Sequence, residues 1–104
     1  MIAVDTNILV YAHRAECPLH KRAKRRLTSL VETEHFFGLP APCLAEFIRV
    51  VTHPVIFSPP STLEQAFAVI DGLLASPTAR LLVPTAEHAN TLREVAISAD
   101  ARGN

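Results

Sequence analysis

At 104 residues the chain holds at most one domain, since single domains usually run roughly 50 to 200 residues. Ten basic and ten acidic side chains cancel, so no global field argues for nucleic acid, and any such reading must rest on a local patch. A hydrophobic share of 49% and a mean hydropathy of +0.24, without an apolar run long enough to cross a bilayer, exclude a membrane span and predict apolar surface for a partner or another part of the fold to cover.

Ile2, Ala3 and Val4 predict a short strand buried on both faces, and Asp5-Thr6-Asn7 interrupts the apolar run before Ile8, Leu9, Val10 and Tyr11 resume it. A carboxylate thus stands at the end of a buried strand. In an open parallel sheet that edge faces the ligand crevice, so Asp5 is a site candidate. Asp5 or Thr6 is equally suited to capping the next helix, and Asp5 can do both. Met1 leads straight into the strand with no basic leader, and Cys17 and Cys43 sit in no metal-like spacing; a reducing cytoplasm is the expected compartment.

Pro18 predicts the start of a helix reaching about Val31, with Leu19, Ala23, Leu27, Leu30 and Val31 as its buried stripe. His20, Lys21, Arg22, Lys24 and Arg25 fall mainly on the other side. They read either as a phosphate-contacting face or as an ordinary solvated one. Phe36, Phe37 and Leu39 predict a second strand ended by Pro40, and Pro42 opens a helix carrying Cys43, Leu44, Phe47, Ile48 and Val51 that must stop before His53-Pro54. Glu46 lies on the flank of that stripe, facing a cleft or water.

Ser61 with Glu64 three residues on is a capping box, and Leu63, Ala66, Phe67, Ile70, Leu73 and Leu74 follow at helical spacing until Ala75-Ser76-Pro77. Leu81 to Val83 predict a third strand ended by Pro84. Thr85 then caps a last helix marked by Ala89, Leu92, Val95 and Ala96 and reaching about Ile97. Strands alternating with helices predict an α/β sandwich with a mostly parallel sheet.

The opening I-A-V-D-T-N-I-L-V-Y-A-H, then P-C-L-A-E-F-I-R-V-V-T-H-P with I-F-S-P-P, then L-R-E-V and A-R-G-N, resemble the PIN-domain ribonucleases and most closely the VapC toxins of bacterial toxin–antitoxin pairs. The resemblance implies a PIN-like three-layer sandwich whose mostly parallel central sheet is flanked by helices. It also implies a metal-dependent endoribonuclease acting on RNA, held inactive by a cognate antitoxin and usually a homodimer. On the matching motifs Asp5 and Glu46 correspond to the first two catalytic and metal-binding acids, while Thr6 and Asn7 are the polar neighbours that position the first. Mg²⁺ or Mn²⁺ suits such residues, because hard cations take oxygen ligands and keep several waters, and Asn7 can orient Asp5.

Full-length relatives run on past A-R-G-N into segments carrying further acids, and Asp100 lies upstream of the third. Residues 1–104 are therefore expected to be a single, C-terminally truncated PIN domain lacking its last strands. Three other readings are weighed. A remnant of that kind could bind antitoxin or a partner subunit without catalysis. An aspartyl-phosphate phosphatase would need an acid where Asn7 stands. A plain RNA-binding module would need stacking aromatics, and Tyr11 and the phenylalanines lie mostly on core faces.

Overall fold

The structure is a computed structural model that describes residues 1–33 and 35–84; the expected cap at Thr85, the helix beyond it and Asp100 lie outside the described residues. The elements follow in the order β1 (Ile2–Ala3), α1 (Thr6–His13), α2 (His20–Glu32), β2 (Phe37–Pro40), α3 (Ala41–Val51), α4 (Leu63–Leu74) and β3 (Ala79–Leu82). The strands form one sheet ordered β1-β2-β3, with both pairings parallel, as the alternation of strands and helices predicts. Ile2 lies opposite Phe37, and Phe37 to Pro40 run opposite Ala79 to Leu82.

β2 is central and covered on both sides. Phe37 and Leu39 are fully buried among Leu9, Phe47 and Val51, each such side chain contributing about 1.5–3 kcal/mol through apolar surface removed from water. Between them Gly38 is roofed by neighbouring strands: a Cβ there would stand 2.5 Å from Leu82 Cδ1 and 3.2 Å from Met1 Sδ. A larger residue at this position would have to displace both side chains.

Several boundaries differ from the sequence reading. β1 is not buried on both faces: Ile2 is 49% exposed and Ala3 is exposed, because among the described residues this strand pairs along one edge only. Val4 is buried and extends the ladder, its N–H donating to the Gly38 carbonyl at 2.9 Å. α2 begins at His20 rather than Pro18, after a turn in which the His20 N–H donates to the Cys17 carbonyl. Leu19 and Val31, at the two ends of the predicted stripe, are exposed, and Ala23, Leu27 and Leu30 carry its burial. Phe36 precedes β2 and lies 4.0 Å beneath the Arg80 guanidinium, and β3 starts at Ala79 because Ala79 is the residue that pairs with Phe37.

The capping box of α4 is Thr62 with Gln65, one residue later than Ser61 with Glu64. Thr62 Oγ1 accepts from the Gln65 amide at 3.0 Å, and Gln65 Oε1 accepts from the Thr62 amide at 2.9 Å. Ser61 is engaged elsewhere. It is buried, its N–H donates to the Val51 carbonyl at 2.8 Å, and its Oγ accepts from Arg14 Nη1 at 3.0 Å and lies 2.8 Å from His13 Nε2. Arg14 also donates to the Pro59 carbonyl, pairs with Glu16 and lies over the Phe57 ring, so the end of α1 clamps the loop between α3 and α4. The apolar stripe of α4 is only partly buried. Ala66 and Ile70 face the core, while Leu63 and Phe67 are exposed, the latter at 48%.

The clamp sets two expectations for stability. Ser61→Ala should cost about 1–3 kcal/mol by stripping Arg14 and His13 of their shared partner, against about 1 kcal/mol for Thr62→Ala, in chemical denaturation. Burial, and then the neighbouring Arg14 charge, push the His13 pKa below its ordinary 6.5, with Glu16 opposing. The fold therefore prefers the neutral ring, and the unfolded chain binds the proton more readily. This contribution is complete above the unfolded pKa and is lost as pH falls through it toward the lower folded value. Tm should drop as pH falls below the ordinary histidine value of about 6.5, and the slope should flatten in His13→Gln.

Candidate active site

Asp5 lies one residue beyond the buried Val4 that extends β1's ladder, with extended backbone, as the N-cap of α1. Its Oδ1 accepts from the Thr6 amide at 2.9 Å, so capping and site readings coexist: one oxygen is used locally and the side chain is otherwise exposed. Thr6 Oγ1 donates to the Cys43 carbonyl at 3.4 Å, a long bond that ties the first residue of α1 to the first turn of α3. Thr6, rather than Asn7, supplies the hydrogen bond that Asp5 accepts; Asn7 is exposed one residue on.

Glu46 lies three residues beyond Cys43 on α3, one helical turn along the same side. The two acids therefore stand on α1 and α3, the helices that leave adjacent strands at their carboxyl ends and are joined by the Thr6–Cys43 bond. Glu46 has both oxygens engaged. Arg49 Nε donates to Oε2 at 2.9 Å and Nη2 to Oε1 at 2.5 Å. These bonds hold the Glu46 carboxyl below its ordinary 4.5, outweighing partial burial, and raise Arg49 in turn. Arg49 escaped the sequence reading, although the Glu-x-x-Arg spacing is the helical i, i+3 signal that could have revealed it.

Carboxylate oxygens on an open edge suit a hard divalent cation, which tolerates few protein ligands by keeping water in its shell. Among the described residues no group of three or more His, Cys, Asp or Glu side chains gathers. The acids lie outside the grooves along α2. Those are lined on one side by Lys21, Lys24 and Arg25, and on another by Arg22 and Arg26 with Ile8 and Tyr11 of α1. Arg26 thus joins the basic face expected from the sequence, and all five cations on it are exposed.

Residues 2–103 match the family model described as PIN domain. Ribonuclease VapC43 of Mycobacterium tuberculosis H37Rv is 41% identical over 104 residues, spanning all of this chain and 71% of its own length. Ribonuclease VapC31 of the same strain is 32% identical, again over the whole chain and 73% of its own. The crystal structure of M. tuberculosis VapC20, titled a sarcin-ricin loop cleaving toxin, covers 93% of this chain and 67% of that one with a TM-score of 0.65; at 20% identity it shows likeness of fold.

Because Asn caps helices about as well as Asp, Asp5→Asn should leave stability within about 0.5 kcal/mol of the parent, whereas Asp5→Ala should cost about 1 kcal/mol. Thermal melts of the two variants test this, and the first then isolates the charge from the cap.

Proposed function

This chain belongs to the PIN-domain family, and from that premise we propose that it is a VapC-type endoribonuclease toxin whose site is built on Asp5 and Glu46. The observation that carries the reading is the 41% identity to a named VapC ribonuclease across the whole chain. The exposed acids beyond β1 and on α3 supply a chemistry consistent with it. We assign residues 1–104 to one PIN domain that acts on RNA, is restrained by a cognate antitoxin protein, pairs as a homodimer and works in the cytoplasm. No helix among the described residues is long and apolar enough to cross a membrane.

Asp5 and Glu46 would hold Mg²⁺ or Mn²⁺ through oxygen, the donor type such ions prefer. When bound, that ion lowers the pKa of water and offsets charge developing on the scissile phosphate. The rest falls to the protein. Asp5 is held in place by the Thr6 amide; the Thr6 hydroxyl links α1 to α3; the Glu46 carboxylate is gripped by Arg49. No protein nucleophile is required. The basic face of α2 would guide the sugar–phosphate backbone without reading bases.

Cleavage of a single-stranded RNA should need Mg²⁺ or Mn²⁺, stop on chelation, and fall by about a hundredfold or more in Asp5→Asn and Glu46→Gln, since several kcal/mol of charge stabilisation disappears. Full activity in both variants would sink the assignment. A folded parent that binds RNA without metal-stimulated cleavage would instead favour a binding remnant. Replacing Lys21, Arg22, Lys24, Arg25 and Arg26 with Ala should weaken unrelated RNAs about equally. It should also flatten the slope of log affinity against log salt by about 0.7 for each phosphate that is no longer neutralised. An unaltered slope leaves these side chains as a solvated face.

A further inference from the structure

We infer that Arg49 competes with the divalent cation for the Glu46 carboxylate and so sets how tightly the site takes that ion. The inference rests on the assignment of Asp5 and Glu46 under Proposed function. Its basis is an asymmetry between the two acids. Asp5 is bonded to a backbone amide, which is neutral and takes one oxygen. Glu46 is bonded to a guanidinium that takes both.

A cation approaching Glu46 meets the same oxygens that Arg49 already holds, together with a positive charge bonded to the same carboxylate. Even at solvent dielectric, two like charges separated by a few ångströms repel measurably. Glu46 paired with Arg49 is formally neutral, so Asp5, Glu46 and Arg49 together carry −1 where the two acids alone carry −2. The pair is nevertheless displaceable. Arg49 is 60% exposed and Glu46 45% exposed at the side chain, and ion pairs open to water to this degree contribute little to stability. Because the two residues lie at i, i+3 on one helix, the guanidinium can swing away without moving α3. Asp5 is thereby the standing ligand and Glu46 the conditional one. Arg49 is a positioning residue in this account.

The test is calorimetric titration of the whole chain with Mn²⁺. Arg49→Gln should bind Mn²⁺ roughly three- to tenfold more tightly than the parent, with Arg49→Lys in between because lysine keeps the charge but not the two-pronged grip. The gain should vanish when Arg49→Gln is combined with Glu46→Gln. Thermal melts confirm that each variant is folded. If Arg49→Gln leaves affinity unchanged or weakens it while Asp5→Asn still lowers it, the competition is refuted and the site survives. If the gain persists in the double variant, the effect is general charge removal, and the inference is equally wrong. Asp5→Asn and Glu46→Gln both matching the parent would remove the site itself.

Discussion

Parallel pairing obliges the chain to travel back to the starting edge of the sheet between strands, and a helix is the usual way to make the return. With β1, β2 and β3 all parallel, every strand delivers its following segment to the same edge. Asp5 follows β1, and α3 begins directly after β2, so an acid within the first two turns of either helix is close to that edge whatever the loops do. The Thr6–Cys43 hydrogen bond then links the two helical starts. Topology places the helices that carry the acids; one weak side-chain bond refines their relation.

The second organising contact is Ser61, which joins the end of α3 to the end of α1. Its amide caps the end of α3 through Val51, and its hydroxyl is shared by two consecutive residues at the end of α1. The long connection between α3 and α4 thereby becomes part of the packed structure. Phe57 lies beneath Arg14 and Pro59 offers it a carbonyl. A buried serine that satisfies a charged donor in this way costs more to lose than an exposed cap, because the groups left behind are already partly removed from water.

These contacts also show how far the sequence is legible. The strand-to-acid junction at Val4-Asp5, the amphipathic α3, the middle of the α2 stripe and the alternation that implies a parallel sheet are written in local pattern and emerge in the structure. The α4 start is ambiguous because Ser61-Thr62-Leu63-Glu64-Gln65 contains two overlapping capping boxes. Only the distant partners His13 and Arg14 decide between them, by withdrawing Ser61 from the local competition. Phe67 illustrates the same limit: helical spacing places it within an apolar stripe, but Ala66 and Ile70 take the core positions and Phe67 is left exposed. Of the candidate acids, the place of Asp5 after the first strand and of Glu46 on the helix after the second is legible from local pattern. The ion pair to Arg49 went unread, because an isolated Glu on a helix flank draws attention to burial rather than to its neighbour one turn on.

Charge arrangement connects these observations to how RNA would be met. A chain whose charges sum to zero has little long-range field, so electrostatic steering from a distance is weak. The cations are instead concentrated along α2, and the candidate acids stand on α1 and α3 at the sheet's carboxyl edge. Screening limits exposed charges to about 8–10 Å at physiological ionic strength, so the basic face acts on phosphates already in its vicinity. An extended polyanion is suited to such a surface, because it can touch the α2 cations with one part of its backbone while presenting another phosphate to the carboxylate edge.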